Sequence, residues 1–413
     1  MIEISTLSSG MRLVTETMEG TASACLGFWV GTGSRDEGPK QAGISHFLEH
    51  LLFKGTPTRS ARAIAEAVDA VGGDMNAFTT KEYTAFYIRT LAEDLPLGLE
   101  ILGEIMVDPA LRKEEVDAER QVILEEVLMH LDEPADVVQE RFADAVFPDH
   151  PLGREVLGLP EVITSVGVEE IRAFFDEHYR PGNIVVAAAG DVEHARIAER
   201  LEERFARYAG GNPPRRERPG DAVRRLDVTT RDTEQAHLVV GVRAPERSSP
   251  QRYALSLLNH TLGGGISSRL FQKVREERGL AYSVGSDRVA YADAGALAVS
   301  VGTAPARADE VLKIVRDELD ALGAQGVTEE ELARAKAHLR ADTLLSLEDS
   351  GARMSRIGAS LLLFDEVLTA EELNARVAEV TAEQVGDLAA HLLTGERVLA
   401  AVGPFEADQL EDA

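Results

Sequence analysis

Cysteine is almost missing from this sequence of 413 residues, with Cys25 its one thiol. That excludes an internal disulfide and every cysteine-rich zinc cluster, so a bound metal would have to rest on histidine and carboxylate ligands. Long apolar runs are missing too: no stretch reaches the ~18 to 20 residues that a membrane-spanning helix needs, so no membrane association is expected. Basic residues are scarce beside acidic ones. The 43 Lys and Arg against 71 Asp and Glu give a formal net charge of -28, which disfavours nucleic acid and anionic membrane, favours solubility, and would draw cationic ligands by long-range attraction. The opening MIEISTLSSGMRLV lacks the basic start, apolar stretch and small-residue cleavage site of a secretory signal, so a cytoplasmic location is expected.

Two glycine-rich stretches lack the residues that hold nucleotides. GTGSRDEG at 31 to 38 has Asp36 where a dinucleotide fingerprint needs its third glycine, and GGGISSRL at 263 to 270 lacks the Lys-Ser/Thr of a phosphate loop. Both read as turns.

What is present is the composition of a globular protein, 44% hydrophobic and 28% charged, in a chain long enough for two domains of about 200 residues. One seam stands out. RYAGGNPPRRERPGDAVRR, residues 207 to 225, has no apolar periodicity and reads as a linker, giving domains at 1–210 and 226–413 with 211–225 between them. The two sides repeat one pattern. ACLGFWVGTGSRDE (24 to 37) and AHLVVGVRAPERSS (236 to 249) are strand-like runs ending in turns, and 111 to 127 and 327 to 343 are long helical patterns that open on paired glutamates. Between them each half has a helix, a strand region (TAFYIRT or ALAVSVGT) and a second helix (LPLGLEILGEIM or ADEVLKIVRDELDAL). The order predicts α+β domains, each a mainly antiparallel sheet with helices packed on one face.

Chemistry concentrates in HFLEH, residues 46 to 50. On a helix His46 and His50 lie about 40° apart and one turn along the axis, so both imidazoles can converge on one ion, and Glu49 shares their face. A catalytic zinc takes three protein ligands and keeps one position open. The helix at 111 to 130 is the natural supplier of the third. Its apolar face runs through Val116, Ile123 and Val127; Glu126 leans toward that face and Glu125 toward solvent. Glu119, seven residues before Glu126, lies about 20° off the same line and can support a ligand or a bound water.

HFLEH, followed 76 residues after His50 by Glu126, resembles the inverted-zinc-motif peptidases of the pitrilysin and insulinase family, in particular the short branch that includes mitochondrial processing peptidase and its bacterial relatives. The resemblance runs along the whole chain, through GSRDE, HFLEHLLFKGT, GGDMNAFTTKEYTAFY, ERQVILEEV, RPGNIVVAAAGD and RLFQKVREERGLAYSV in order. It implies a zinc-dependent peptidase, one Zn2+ per chain, with His46, His50 and Glu126 as ligands, Glu49 as general base and Glu119 as a supporting acid.

The second half has no HxxEH, and carries Ala335 and Asp342 where the first has Glu119 and Glu126, so no metal is expected there. The resemblance instead implies that Arg275 and Tyr282, in REERGLAYSV, enter the active site from the second half of a clam-shell, the guanidinium on a substrate carbonyl or carboxylate and the phenol on the oxyanion. It also implies a peptide laid along the strand GGDMNAFTT, held by Asn76 and the backbone of Ala77 as an added strand; Phe78 and Thr79 read as ordinary sheet residues. Two chains closing face to face would make a homodimer with composite sites. The alternative within the family is a non-catalytic or heterodimer-dependent subunit, and such members lose zinc ligands.

Overall fold

The computed structural model describes residues 1–410, which form two compact units. The first takes Met1–Leu128, Glu155–Arg216 and Leu344–Val367; the second takes Met129–Arg154, Glu217–Thr343 and the chain from Leu368 on. Among the described residues no helix is long and apolar enough to cross a membrane.

The sheet of the first unit contains β1 (Ile2–Thr6), β2 (Arg12–Thr17), β3 (Ser23–Val30), β4 (Asp74–Thr79), β5 (Thr84–Leu91) and β6 (Ile184–Gly190), ordered β1-β2-β6-β3-β5-β4. Only β2 and β6 pair in parallel; every other neighbour is antiparallel. The second unit has β7 (Leu226–Thr230), β8 (Ala236–Ala244), β9 (Ala281–Ala290), β10 (Gly295–Thr303) and β11 (Val398–Gly403), ordered β7-β11-β8-β10-β9, again with a single parallel pair, β7 with β11. Apart from β1, the two orders are the same. The internal repeat read from the sequence is therefore a repeat of topology.

The central strands are apolar almost throughout because both faces of the sheet are covered. On β3 and β6, Leu26, Phe28, Val186 and Ala188 join the main core beneath the helices Ile44–Leu52, Leu95–Val107, Val168–His178 and His194–Phe205. Their alternates Cys25, Trp29, Val185 and Ala187 face a second core built with Met354, Ile357 and Leu361. Those three belong to the helix Ser350–Phe364, from the other half of the sequence. It is fixed by ion pairs from Arg353 and Arg356 to the buried Glu16, at 2.5 and 3.1 Å, and by the Asp349 carboxylate accepting from Ala352 N at its first turn.

The second unit is built the same way. Its main core lies under the helices Arg252–Leu262, Ala308–Gln325 and Ala382–Leu393. Its other face, Val239, Ala296, Val398 and Ala400, is covered by Val137, Val138 and Phe142 of the helix Pro134–Val146, from the first half of the sequence. The main helix layer lies on one face as expected, but the opposite face carries one more helix supplied by the other half. For that reason the compact units do not follow the division at 211–225. The linker is also held in place: Arg216 grips the Asp36 carboxylate with two bonds of 2.8 Å and donates to Glu82 O at 2.6 Å.

Gly358 shows how closely the exchanged helix packs. A Cβ there would stand 2.4 Å from Nε1 of Trp29 and 2.7 Å from its Cε2. Gly358→Ala should therefore destabilise the first unit by about 1–3 kcal/mol through overpacking. Trp29 is the only tryptophan of the chain, so its emission during urea unfolding reads this contact directly; an unchanged midpoint would show that the contact is slack.

Candidate metal centre

The helix Ile44–Leu52 is nine residues long, too short to persist by itself. Its first turn is completed by Glu37, whose two carboxylate oxygens accept from Gly43 N and Ser45 N, each at 2.8 Å. Gly43 enters the helix at φ 97, and a Cβ on it would lie 2.7 Å from Leu157 O, so glycine is required. Phe47, Leu48 and Leu51 sink into the main core, which turns His46, Glu49 and His50 to the opposite side. The GSRDE stretch is the brace behind this helix: Asp36 accepts from Gly33 N at 3.0 Å and Arg35 pairs with Glu82 at 2.6 Å, both side chains buried.

The facing helix, Lys113–Asp132, buries Val116, Glu119, Ile123 and Val127. Arg120 ties it down by donating to Ile163 O and Val166 O, with its guanidinium carbon 5.5 Å from the centre of the Phe47 ring. This register delivers Glu126 beside the histidines and leaves Glu125 exposed.

The two imidazoles stand edge to face with centroids 4.7 Å apart. Their Nε2 atoms lie 3.6 Å (His46) and 3.5 Å (His50) from Oε2 of Glu126. These separations are too long for hydrogen bonds, yet they match the edge of about 3.4 Å of a tetrahedron with metal bonds near 2.1 Å. Among the described residues these three are the one group of His, Cys, Asp or Glu side chains whose ligand atoms converge, all within 4.8 Å of one another. Burial, and secondarily the neighbouring His50, hold the His46 imidazole down at about 4, so it is neutral with a lone pair to offer at neutral pH. His50 Nδ1 lies 3.1 Å from Glu119 Oε2. As a carboxylate Glu119 can only accept, so the proton sits on Nδ1 and Nε2 is left to bind. Two imidazoles and one carboxylate fit zinc, with a fourth position left for water or substrate.

Glu49 stands apart from this trio. Burial raises its carboxyl above the ordinary range and the Glu126 charge adds to that, against a 2.6 Å hydrogen bond from Thr79 Oγ1 and the influence of His50. Thr79 thus does more than fill the sheet, which is all that the sequence reading gave it. Period-two alternation could have found it, since Met75 and Ala77 of β4 pack into the same core beneath the helix. Asn76 and Ala77 lie on β4, an edge strand, with Asn76 exposed and its Oδ1 accepting from Ala77 N at 2.8 Å. Arg275 and Tyr282 belong to the second unit. The guanidinium stacks 4.6 Å above the Tyr282 ring and donates to Tyr282 O at 3.2 Å, while Tyr282 itself is 81% exposed.

Comparison with known proteins gives the same direction. Residues 12–159 match the family model described as insulinase (peptidase family M16), and residues 165–339 match the peptidase M16 inactive domain. An uncharacterised zinc protease of Streptomyces coelicolor is 43% identical over 99% of this chain and 91% of its own length. One from Mycobacterium tuberculosis is 44% identical over 97% and 92%, and YmxG of Bacillus subtilis, also named an uncharacterised zinc protease, is 37% identical over 98% of both. Among solved structures, a peptidase M16 inactive-domain protein from Pseudomonas fluorescens superposes with a TM-score of 0.91 at 21% identity, covering 98% of each chain. A protease from Helicobacter pylori reaches 0.90 at 24%, covering 97% of this chain and 99% of its own. These two establish the likeness of fold.

The geometry separates two adjacent glutamates. Glu126→Gln should weaken zinc binding by about 10- to 100-fold or more, since it removes a converging charge, while Glu125→Gln, on the solvent side, should leave it within about two-fold. Chelator competition on the purified variants measures both; equal losses would contradict the register described above.

Proposed function

The chain belongs to the insulinase family of peptidases, M16, and on that footing we propose that it is a zinc-dependent endopeptidase of the short, processing-peptidase-like branch. The observation that carries this reading is the convergence of His46, His50 and Glu126 beside an independently held Glu49. His46, His50 and Glu126 would hold the zinc, which when bound would supply Lewis acidity to the reaction. Glu49 takes the proton of the attacking water and delivers it to the leaving amine, a task suited to a carboxyl that burial has made more basic. Thr79 keeps one oxygen of Glu49 engaged and so fixes the direction of the other.

The substrate is an extended peptide that adds to the free edge of β4, with Asn76 and the backbone of Ala77 as contacts, so that main-chain groups supply much of the affinity. The net charge of -28 favours basic, presequence-like segments. Tyr282 donates to the oxyanion and Arg275 holds a substrate carbonyl or carboxylate. In a homodimer that closes into a chamber, each of these pairs completes the zinc site of the other chain. A cytoplasmic setting agrees with this reading. The non-catalytic alternative is disfavoured because all three ligands and the base are in place.

Glu49→Gln should keep close to one zinc per chain and lose nearly all cleavage of a quenched peptide; full activity in that variant would end the mechanism. The composite site has its own test. Glu49→Gln and Tyr282→Phe proteins, each weak alone, should recover activity when mixed under conditions of subunit exchange, because about half of the dimers would then hold one intact site. No recovery after exchange has been verified by mass would place both groups within one chain.

A further inference from the structure

Lys54, which follows the metal-site helix, takes no part in the function as so far described. Its ammonium lies 2.6 Å from Oε1 of Glu119, whose other oxygen is 3.1 Å from His50 Nδ1. Glu119 is 7% exposed, and these two contacts occupy both of its oxygens. The order is a relay of fixed contacts: ammonium, carboxylate, imidazole, and then the face of His50 that meets Glu126.

Lys54 differs from an ordinary surface lysine in how its backbone is held. Lys54 N donates to Leu51 O at 3.0 Å as the helix ends. The next residue, Gly55, turns the chain at φ 119, where a Cβ would come 2.5 Å from Arg59 O. Gly55 O accepts from Ala110 N at 2.9 Å, and Thr56 O from Arg112 at 2.9 Å. The loop bearing Lys54 is thereby pinned to the segment that opens the helix Lys113–Asp132, so the ammonium and Glu119 are set by the same bonds. The side chain is 32% exposed, with its head committed to Glu119.

Charge gives the arrangement its purpose. Glu49, Glu119 and Glu126 bring three carboxylates to one small volume; a divalent ion leaves one negative charge over, and Lys54 cancels it. Without that ammonium, one oxygen of a buried carboxylate loses its donor, and the carboxylate becomes free to turn away from His50.

We infer that Lys54 is a positioning residue of the metal centre: through Glu119 it fixes the tautomer and orientation of His50 and so raises the affinity of the site for zinc. The inference rests on the metal reading above. Lys54→Met keeps the length of the stem and removes the charge, and Lys54→Arg keeps the charge. Zinc affinity, measured by chelator competition on the full chain with thermal melting as a check on folding, should fall about 10- to 100-fold in Lys54→Met and stay within a few-fold in Lys54→Arg. Because Lys54 acts through Glu119, the double variant Lys54→Met/Glu119→Gln should bind zinc no more weakly than Glu119→Gln alone. Wild-type affinity in Lys54→Met, or losses from the two substitutions that multiply, would overturn the inference while leaving the metal site standing. A wild-type chain that takes up no zinc would instead overturn the metal reading, and this inference with it.

Discussion

Glu37 commits both carboxylate oxygens to the first amides of the helix Ile44–Leu52, and the candidate site depends on that bond pair. A helix of this length has few internal hydrogen bonds to hold it, and its orphan amides need partners wherever water is excluded. Glu37 satisfies two of them and places negative charge at the positive end of the helix. The residues just before it in the chain are themselves charged and buried: Arg35 against Glu82, and Asp36 against Arg216 of the linker. A chain of ion pairs thus ends in the direction of two imidazoles.

The two halves show how one framework serves two ends. In the first half, Glu119 enters a buried position of the long helix and requires His50 and Lys54 as partners. At the corresponding place in the second half, Ala335 is fully buried in an apolar core and requires nothing. The strand order is the same in both. What separates a chemical site from plain packing here is the side chains set on shared topology.

Much of this was legible in the sequence. Helical periodicity put His46 and His50 on one face, and the apolar stripe through Val116, Ile123 and Val127, buried in the structure, picked the half-buried Glu126 over the exposed Glu125. Turn chemistry explained both glycine-rich stretches, and the repeat foretold two like sheets. Other features left no periodic trace. A stripe on Pro134–Val146 or Ser350–Phe364 says that a helix packs, and nothing in it names the sheet. Thr79 acts through one hydrogen bond to a residue 30 positions away and Glu37 through two to residues 6 and 8 positions away, and a lysine after a helix reads as a solvated end until its partner is seen. Arg275 and Tyr282 came from family likeness alone. Sequence context alone would make Arg275 a surface helix residue, which it is, and Tyr282 a core aromatic, whereas Tyr282 is exposed and stacked under the Arg275 guanidinium.

The exchange of one helix between the halves bears on how such a chain can evolve. Each half builds a sheet whose back it cannot cover, and the missing helix is encoded on the far side of residues 207 to 225. Joined copies that trade an element in this way have the topology of a domain-swapped dimer sealed into one polypeptide. Neither copy can be deleted or transplanted alone without baring an apolar sheet face to water. The half with no HxxEH is therefore retained for a reason prior to any chemistry: it carries the helix that closes the back of the half that has one.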